Sequence, residues 1–166
     1  MVCRFLDRLK EITVVFARAQ INAEADVICI ANHATGDLVS PQMYRDFLLP
    51  RHKELSQRIG CPTVWHICGK TLDRLGHVCE SGFNCFHFDS KVDAFAAARE
   101  AAGRISLMGN INNPEVPLGG SRDQVSRHVR CAMKAGVQVI GPEFAIPLCT
   151  PLRNLKTIAN VARGEE

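Results

Sequence analysis

The sequence predicts an α/β fold built on parallel strands, and three features carry that prediction. Five short runs are almost wholly apolar: DVICI (26–30), PTVWHIC (62–68), CFHFD (85–89), RISLMGN (104–110) and VQVIG (137–141). Runs of this kind are expected of parallel strands covered on both faces. Segments with helical spacing fill the intervals between them. Four of the strands also follow a glycine, Gly60, Gly82, Gly103 or Gly136, at the position where a helix would end, as expected of helix-to-strand loops. Alternation of this type implies right-handed crossovers. Five strands make either a small open sheet wound on both sides or part of a (β/α)8 barrel, which takes about 250 residues.

The first helix is expected over residues 3–23, with Phe5, Leu6, Leu9, Ile12, Val15, Phe16 and Ala19 along one stripe. Strand 26–30 follows. Ser40-Pro41 then starts the second helix, serine as N-cap and proline in the first turn, and Pro50 kinks or divides it. Shorter helices are predicted around 71–80, 92–101 and 122–135. Thr150-Pro151 repeats the cap-and-proline start for a last helix through about residue 163. No linker or low-complexity tract interrupts the chain, so residues 1–166 read as a single domain.

The chain has 166 residues, 46% hydrophobic and 22% charged, with a formal net charge of +3. One core of ordinary size is expected. Lys and Arg are dispersed, and one Trp and one Tyr offer little for stacking, which argues against nucleic acid as a partner. No run reaches the length of a membrane helix, and no apolar leader with a small-residue cleavage site opens the chain. Eight cysteines are then expected as free thiols in a reducing, cytoplasmic setting. Cys29, Cys79, Cys85 and Cys131 lie in apolar contexts and are expected in the core. His52, His77 and His128, with Arg45, Arg51 and Arg130, lie on helices and are expected at the surface.

His66 and Cys68 carry the most pointed chemistry. Residues two apart on a strand face the same side, and parallel α/β folds place ligands at strand C-terminal ends. Imidazole and thiolate suit zinc. A lone His-x-Cys triplet also arises by chance in a cysteine-rich chain, so its context decides. GDLVSPQMYRDFLLPRHKEL, GCPTVWHICGKT, FHFDSKVD, ISLMGNINNPEV and IGPEFAIPLCTPLRNLKTI occur in that order. From about residue 20 onward the sequence resembles the uroporphyrinogen decarboxylase superfamily, in particular its corrinoid-dependent methyltransferase branch.

The resemblance implies the C-terminal half of a (β/α)8 barrel, about five parallel strands with flanking helices, and a zinc site at the strand C-terminal mouth. His66 and Cys68 match the branch's ligand pair. Its second cysteine is expected in the pattern G-P-x-C-x-I, but here Phe144 occupies that position in Gly141-Pro142-Glu143-Phe144-Ala145-Ile146. Cys149 is the expected replacement ligand, with the Glu143 carboxylate as an alternative. Asn32, just after the first strand, and Asp89 and Asn110, at strand ends, are candidates to meet substrate. Asp89 could instead cap the helix near Val92, Asn110 could only form a turn, and His33 reads as a hydrated loop residue.

The implied reaction is zinc-dependent methyl transfer from a methylcorrinoid, cobalamin-type and held on a corrinoid carrier protein, to a small-molecule thiol such as coenzyme M. Two alternatives stand beside it: decarboxylation of a tetrapyrrole, and an inactive half-barrel that acts by binding a partner chain. A homo-oligomer or a complementing barrel half is expected, because an open sheet edge must be paired or covered.

Overall fold

The computed structural model describes residues 1–165. Helix α1 (Val2–Asn22) precedes strand β1 (Ile28–Asn32). Helix α2 (Pro41–Met43) runs through a wide π turn (Tyr44–Leu48) into α3 (Leu49–Arg58), and β2 (Thr63–Ile67) follows. A short 3-10 turn (Leu72–Arg74) leads to α4 (Leu75–Cys79), then β3 (Cys85–Phe88), α5 (Ala94–Ala101) and β4 (Ser106–Ile111). A second π turn (Pro114–Leu118) precedes α6 (Arg122–Ala135), β5 (Val139–Pro142) and α7 (Leu152–Arg163). All five predicted strands are present. They pair in parallel in the order β1-β2-β3-β4-β5, and the sheet does not close.

Local chemistry explains most boundaries. Ser40 Oγ accepts from Met43 N (3.1 Å), with Pro41 opening the helix. Pro50, which has no N–H to give, sits where the π turn passes into α3. Gly82, Gly103 and Gly136 adopt positive φ as the spacing predicts, but Gly60 does not, because Ile59 leaves α3 in an extended conformation. Asp93, rather than Asp89, caps α5 by accepting from Ala96 N (2.8 Å). Helix α7 begins at Leu152 after Pro151, with no side-chain cap from Thr150. At Gly109, φ is +127° and a Cβ would lie 2.7 Å from the Phe88 carbonyl oxygen, so only glycine fits this crossing of β3 and β4.

Helix α6 shows what a full cap contributes. Ser121 Oγ accepts from Gln124 N (3.3 Å), and Gln124 Oε1 accepts from Ser121 N (2.7 Å). Ser121→Ala is expected to lower stability by about 1 kcal/mol, read as a shifted midpoint in urea unfolding with an unchanged slope.

Alternate residues of each strand face opposite ways. Trp65, Ile67, Phe86, Phe88 and Leu107 turn to the helical layer and pack with Tyr44, Leu55, Val78, Phe83 and Ala97. Trp65 stacks on Phe83 with ring centroids 4.8 Å apart. His52 belongs to this layer and is 4% exposed, contrary to the surface placement expected of it. Its ring lies 4.2 Å from that of Trp65, and its Nδ1 shares a 2.9 Å hydrogen bond with Tyr44 Oη. Arg51 is half-buried and donates to the Phe47 carbonyl (2.7 Å); His77 is half-buried, and His128 is exposed as expected.

The other sheet face would line a barrel's interior. Cys29 lies on it, opposite Val64 in register, and is exposed on the edge strand β1 of the described sheet. Only Cys85 among the four expected core cysteines is buried; Cys79 is half-buried, and Cys131 points outward from α6. Helix α1 presents much of its apolar stripe to solvent. It buries Lys10, Val14 and Ala17 against the fold and exposes Phe5, Leu9, Ile12, Val15 and Phe16. Polar contacts set this orientation: Lys10 Nζ bonds the Glu54 carboxylate of α3, and Arg58 makes a two-pronged pair with Glu11 (2.6 and 2.7 Å). No helix among the described residues is long and apolar enough to cross a membrane.

Candidate functional site

The C-terminal ends of β2, β3 and β5 gather the polar residues of the inner face. His66 is buried on β2, and Cys68 stands half-buried just past the strand end. His66 Nδ1 lies 3.1 Å from the backbone oxygen of His87 on β3. A carbonyl oxygen only accepts, so Nδ1 carries the proton and Nε2 presents a lone pair. That lone pair faces Cys68 Sγ at 3.0 Å. Nitrogen and sulfur thus converge, as the two-residue spacing predicts.

Electrostatics hold both groups neutral at rest. Burial, and then neighbouring His87, lower the His66 pKa below its ordinary value. Burial, and then the Asp89 and Glu143 carboxylates, raise the Cys68 thiol, with Lys91 opposing. The thiol therefore donates to imidazole and the pair is a poor nucleophile in this form. A divalent cation would displace the thiol proton, since metal ligation strongly favours thiolate.

Three residues brace this end of the sheet, and of these only Asp89 was a candidate from the sequence. His87 packs its ring 4.5 Å from that of His66 and donates through Nε2 to the Pro142 carbonyl (2.8 Å), tying β3 to the end of β5. Buried Asp89 accepts from Gly69 N (2.7 Å) and Lys91 N (2.9 Å). It thereby fixes the turn immediately after Cys68. Arg74 is fully buried and donates to the Ala34 carbonyl (2.8 Å), joining the loops that follow β1 and β2.

Glu143 is 4% exposed and its carboxylate is already engaged. Oε2 accepts from Ser90 N (2.9 Å) and Oε1 from Asn113 N (3.1 Å). Asn113 in turn donates to the Phe144 and Ala145 carbonyls (2.8 and 2.7 Å). The alternative ligand is thus a strut between three strand ends. Charge-assisted bonds of this kind are strong, so Glu143→Gln is expected to cost about 2 kcal/mol; urea unfolding measures it.

The other predicted residues occupy the same end of the sheet. Asn32 Oδ1 accepts from Ala34 N (2.9 Å), and Asn110 Nδ2 donates to the Val92 carbonyl (2.9 Å). His33 is exposed in the loop after β1. Cys149 is exposed in the loop between β5 and α7, and Phe144 is 44% exposed. Among the described residues, no three His, Cys, Asp or Glu side chains are arranged to hold a metal ion. The structure therefore joins His66 with Cys68 and leaves Cys149 outside any such group. The pair fits two zinc ligands in donor type and tautomer; a third protein donor is not placed beside it.

Comparison with known proteins agrees with this architecture. Methylcobamide:CoM methyltransferase MtaA of Methanosarcina barkeri is 35% identical over 162 residues, covering 96% of this chain and 48% of that protein. Methylated-thiol–coenzyme M methyltransferase of Methanosarcina mazei is 28% identical over 160 residues (96% and 43%). Uroporphyrinogen decarboxylase of Trichodesmium erythraeum is 33% identical over 143 residues (82% and 39%). The solved structure of a methyltransferase from Methanosarcina mazei superposes with a TM-score of 0.89 at 30% identity, covering 93% of this chain and 47% of that one. The chain spans about half the length of the curated relatives it matches. The uroporphyrinogen decarboxylase (URO-D) family model matches residues 1–164, and the chain belongs to that family.

Proposed function

We propose that this chain forms one side of the active-site mouth of a methyltransferase that moves a methyl group from a methylated corrinoid to a small-molecule thiol. The observation that carries the reading is the His66–Cys68 pair at the end of β2, with Nδ1 held by the His87 carbonyl and Nε2 and Sγ 3.0 Å apart. Similarity to two coenzyme M methyltransferases supports the same class.

His66 and Cys68 would hold zinc, with Cys149 as the third protein ligand once the β5–α7 loop carries it to the mouth. Zinc would supply Lewis acidity that lowers the pKa of a bound thiol. The protein's own residues keep the pair aligned. The His87 carbonyl orients the imidazole, and Asp89 fixes the turn carrying Cys68. Asn32 and Asn110 each spend one amide atom on the backbone and offer the other to substrate. A corrinoid carrier protein would dock over this mouth.

The test measures methylation of coenzyme M by methylcobalamin, with zinc, using the chain together with the complementary part of a relative's barrel. Thiol methylation that is lost in Cys68→Ala supports the reading. Release of CO2 from uroporphyrinogen without added metal, unchanged in Cys68→Ala, favours the decarboxylase reading that the Trichodesmium relative keeps in view.

A further inference from the structure

We propose that a cavity between the loops after β2 and β3 binds the phosphate group of a monoester, with Lys70 and Lys91 matching its charge and Thr71 donating a hydroxyl. The cavity measures about 340 Å³ and is lined by residues 70–73 of one loop and 91–93 of the other. Both loops follow interior strands, so its walls lie away from either edge of the described sheet.

Thr71 is the residue that calls for a ligand. It is fully buried, and its Oγ1 has no hydrogen-bond partner among the described residues. A buried hydroxyl left unpaired is costly, and native folds satisfy the large majority of such groups. A phosphate oxygen in the cavity would accept from it.

The charges fit the same occupant. Lys70 and Lys91 are exposed, and neither forms an ion pair with a described residue. The two carboxylates of the cavity are engaged: Asp73 pairs with Arg74 (3.0 Å), and Asp93 accepts from Ala96 N (2.8 Å). The backbones of both lysines are held in place. The Lys70 carbonyl accepts from Gly36 N (2.7 Å), and Lys91 N donates to Asp89 Oδ1 (2.9 Å). Such preorganisation lowers the cost of binding. Two cations favour the dianion that a phosphate monoester forms near neutral pH over a singly charged carboxylate or sulfonate. Leu72, 40% exposed, offers an apolar wall to the carbon body of the ester. The cavity borders the mouth, because Asp89 holds both Lys91 and Gly69, the residue after Cys68. The inference requires neither zinc nor methyl transfer.

Calorimetric titration at constant ionic strength tests this with phenyl phosphate, inorganic phosphate and benzenesulfonate. Phenyl phosphate is expected to bind saturably and more tightly than the other two. Lys70→Ala/Lys91→Ala changes exposed side chains and should weaken that binding about ten-fold or more. Thr71→Val replaces an unpaired buried hydroxyl by a methyl group. Its urea midpoint should stay level or rise while phenyl phosphate binds roughly five-fold more weakly, a split that a purely structural threonine would not give. Absence of saturable binding by the folded chain overturns the proposal, and so does a lysine variant that binds as well as the wild type. Benzenesulfonate binding as tightly as phenyl phosphate overturns the assignment to phosphate. Equal affinity in Thr71→Val overturns the part given to the hydroxyl.

Discussion

Acidification from pH 6.5 to 4 is expected to cost the fold roughly 3 kcal/mol through His52 alone. Burial among Tyr44, Trp65 and Phe83 pushes its pKa down to about 3. The unfolded chain takes up that proton near pH 6.5, while the folded chain refuses it until far lower. Stability is therefore intact above about pH 6.5 and falls by about 1.4 kcal/mol per unit below it, as the unfolded state binds more protons. His66 and His87, both lowered chiefly by burial, add to the slope. A Tyr44→Phe/His52→Phe double variant removes both partners of the Tyr44–His52 hydrogen bond, which avoids leaving a buried polar group unpaired. Its unfolding free energy should vary much less between pH 7 and 5, read from urea titrations at each pH. A slope equal to that of the wild type would show that His52 takes up its proton without loss in the folded chain.

The second large effect concerns the mouth. Cys68→Ala and His66→Ala are each expected to lower zinc affinity and thiol methylation by ~100-fold or more, since removing residues that only orient metal ligands already costs about 10- to 100-fold. Asp89→Asn belongs to that orienting class. Its carboxylate accepts from Gly69 N, adjacent to Cys68, so a loss of roughly 10-fold is expected with the fold retained. A ranking in which Asp89→Asn exceeds both ligand variants would move the chemistry from the His66–Cys68 pair to the carboxylate.

Much of the architecture was legible because it rests on local rules. Apolar runs after Gly82, Gly103 and Gly136 marked strands, since each glycine takes a positive φ in the loop between helix and strand. The pairing of His66 with Cys68 followed from strand alternation. What stayed hidden depends on register or on surfaces outside the five strands. His87 carries no local signal; it matters because β2 and β3 pair with His66 opposite it. His52 was misplaced by residue type, although its spacing from buried Leu49 and Leu55 put it on the helix's inner stripe. The apolar stripe of α1 was legible from its spacing, but the side that it turns to the fold was not. Lys10 and Glu11 bind α3, which turns Phe5, Ile12 and Phe16 outward. Glu143 resembled a ligand in sequence because nothing there shows the Ser90 and Asn113 N–H groups that claim it.

The half-sheet and the paired ligands belong to one account. A (β/α)8 mouth draws its residues from the ends of many strands, and this chain supplies those of β1 through β5. Phe144 stands where the corrinoid-dependent branch is expected to carry its second cysteine, and Asn113 fixes the backbone there. In the proposed site the His66–Cys68 pair would hold zinc with help from Cys149 or from another donor.

Elemental analysis of the purified chain after equilibration with zinc and removal of free metal tests this most directly, beside His66→Ala and Cys68→Ala handled identically. About one zinc per chain is expected in the wild type and almost none in either variant. A zinc-free wild type, or variants that keep the wild-type content, would contradict it.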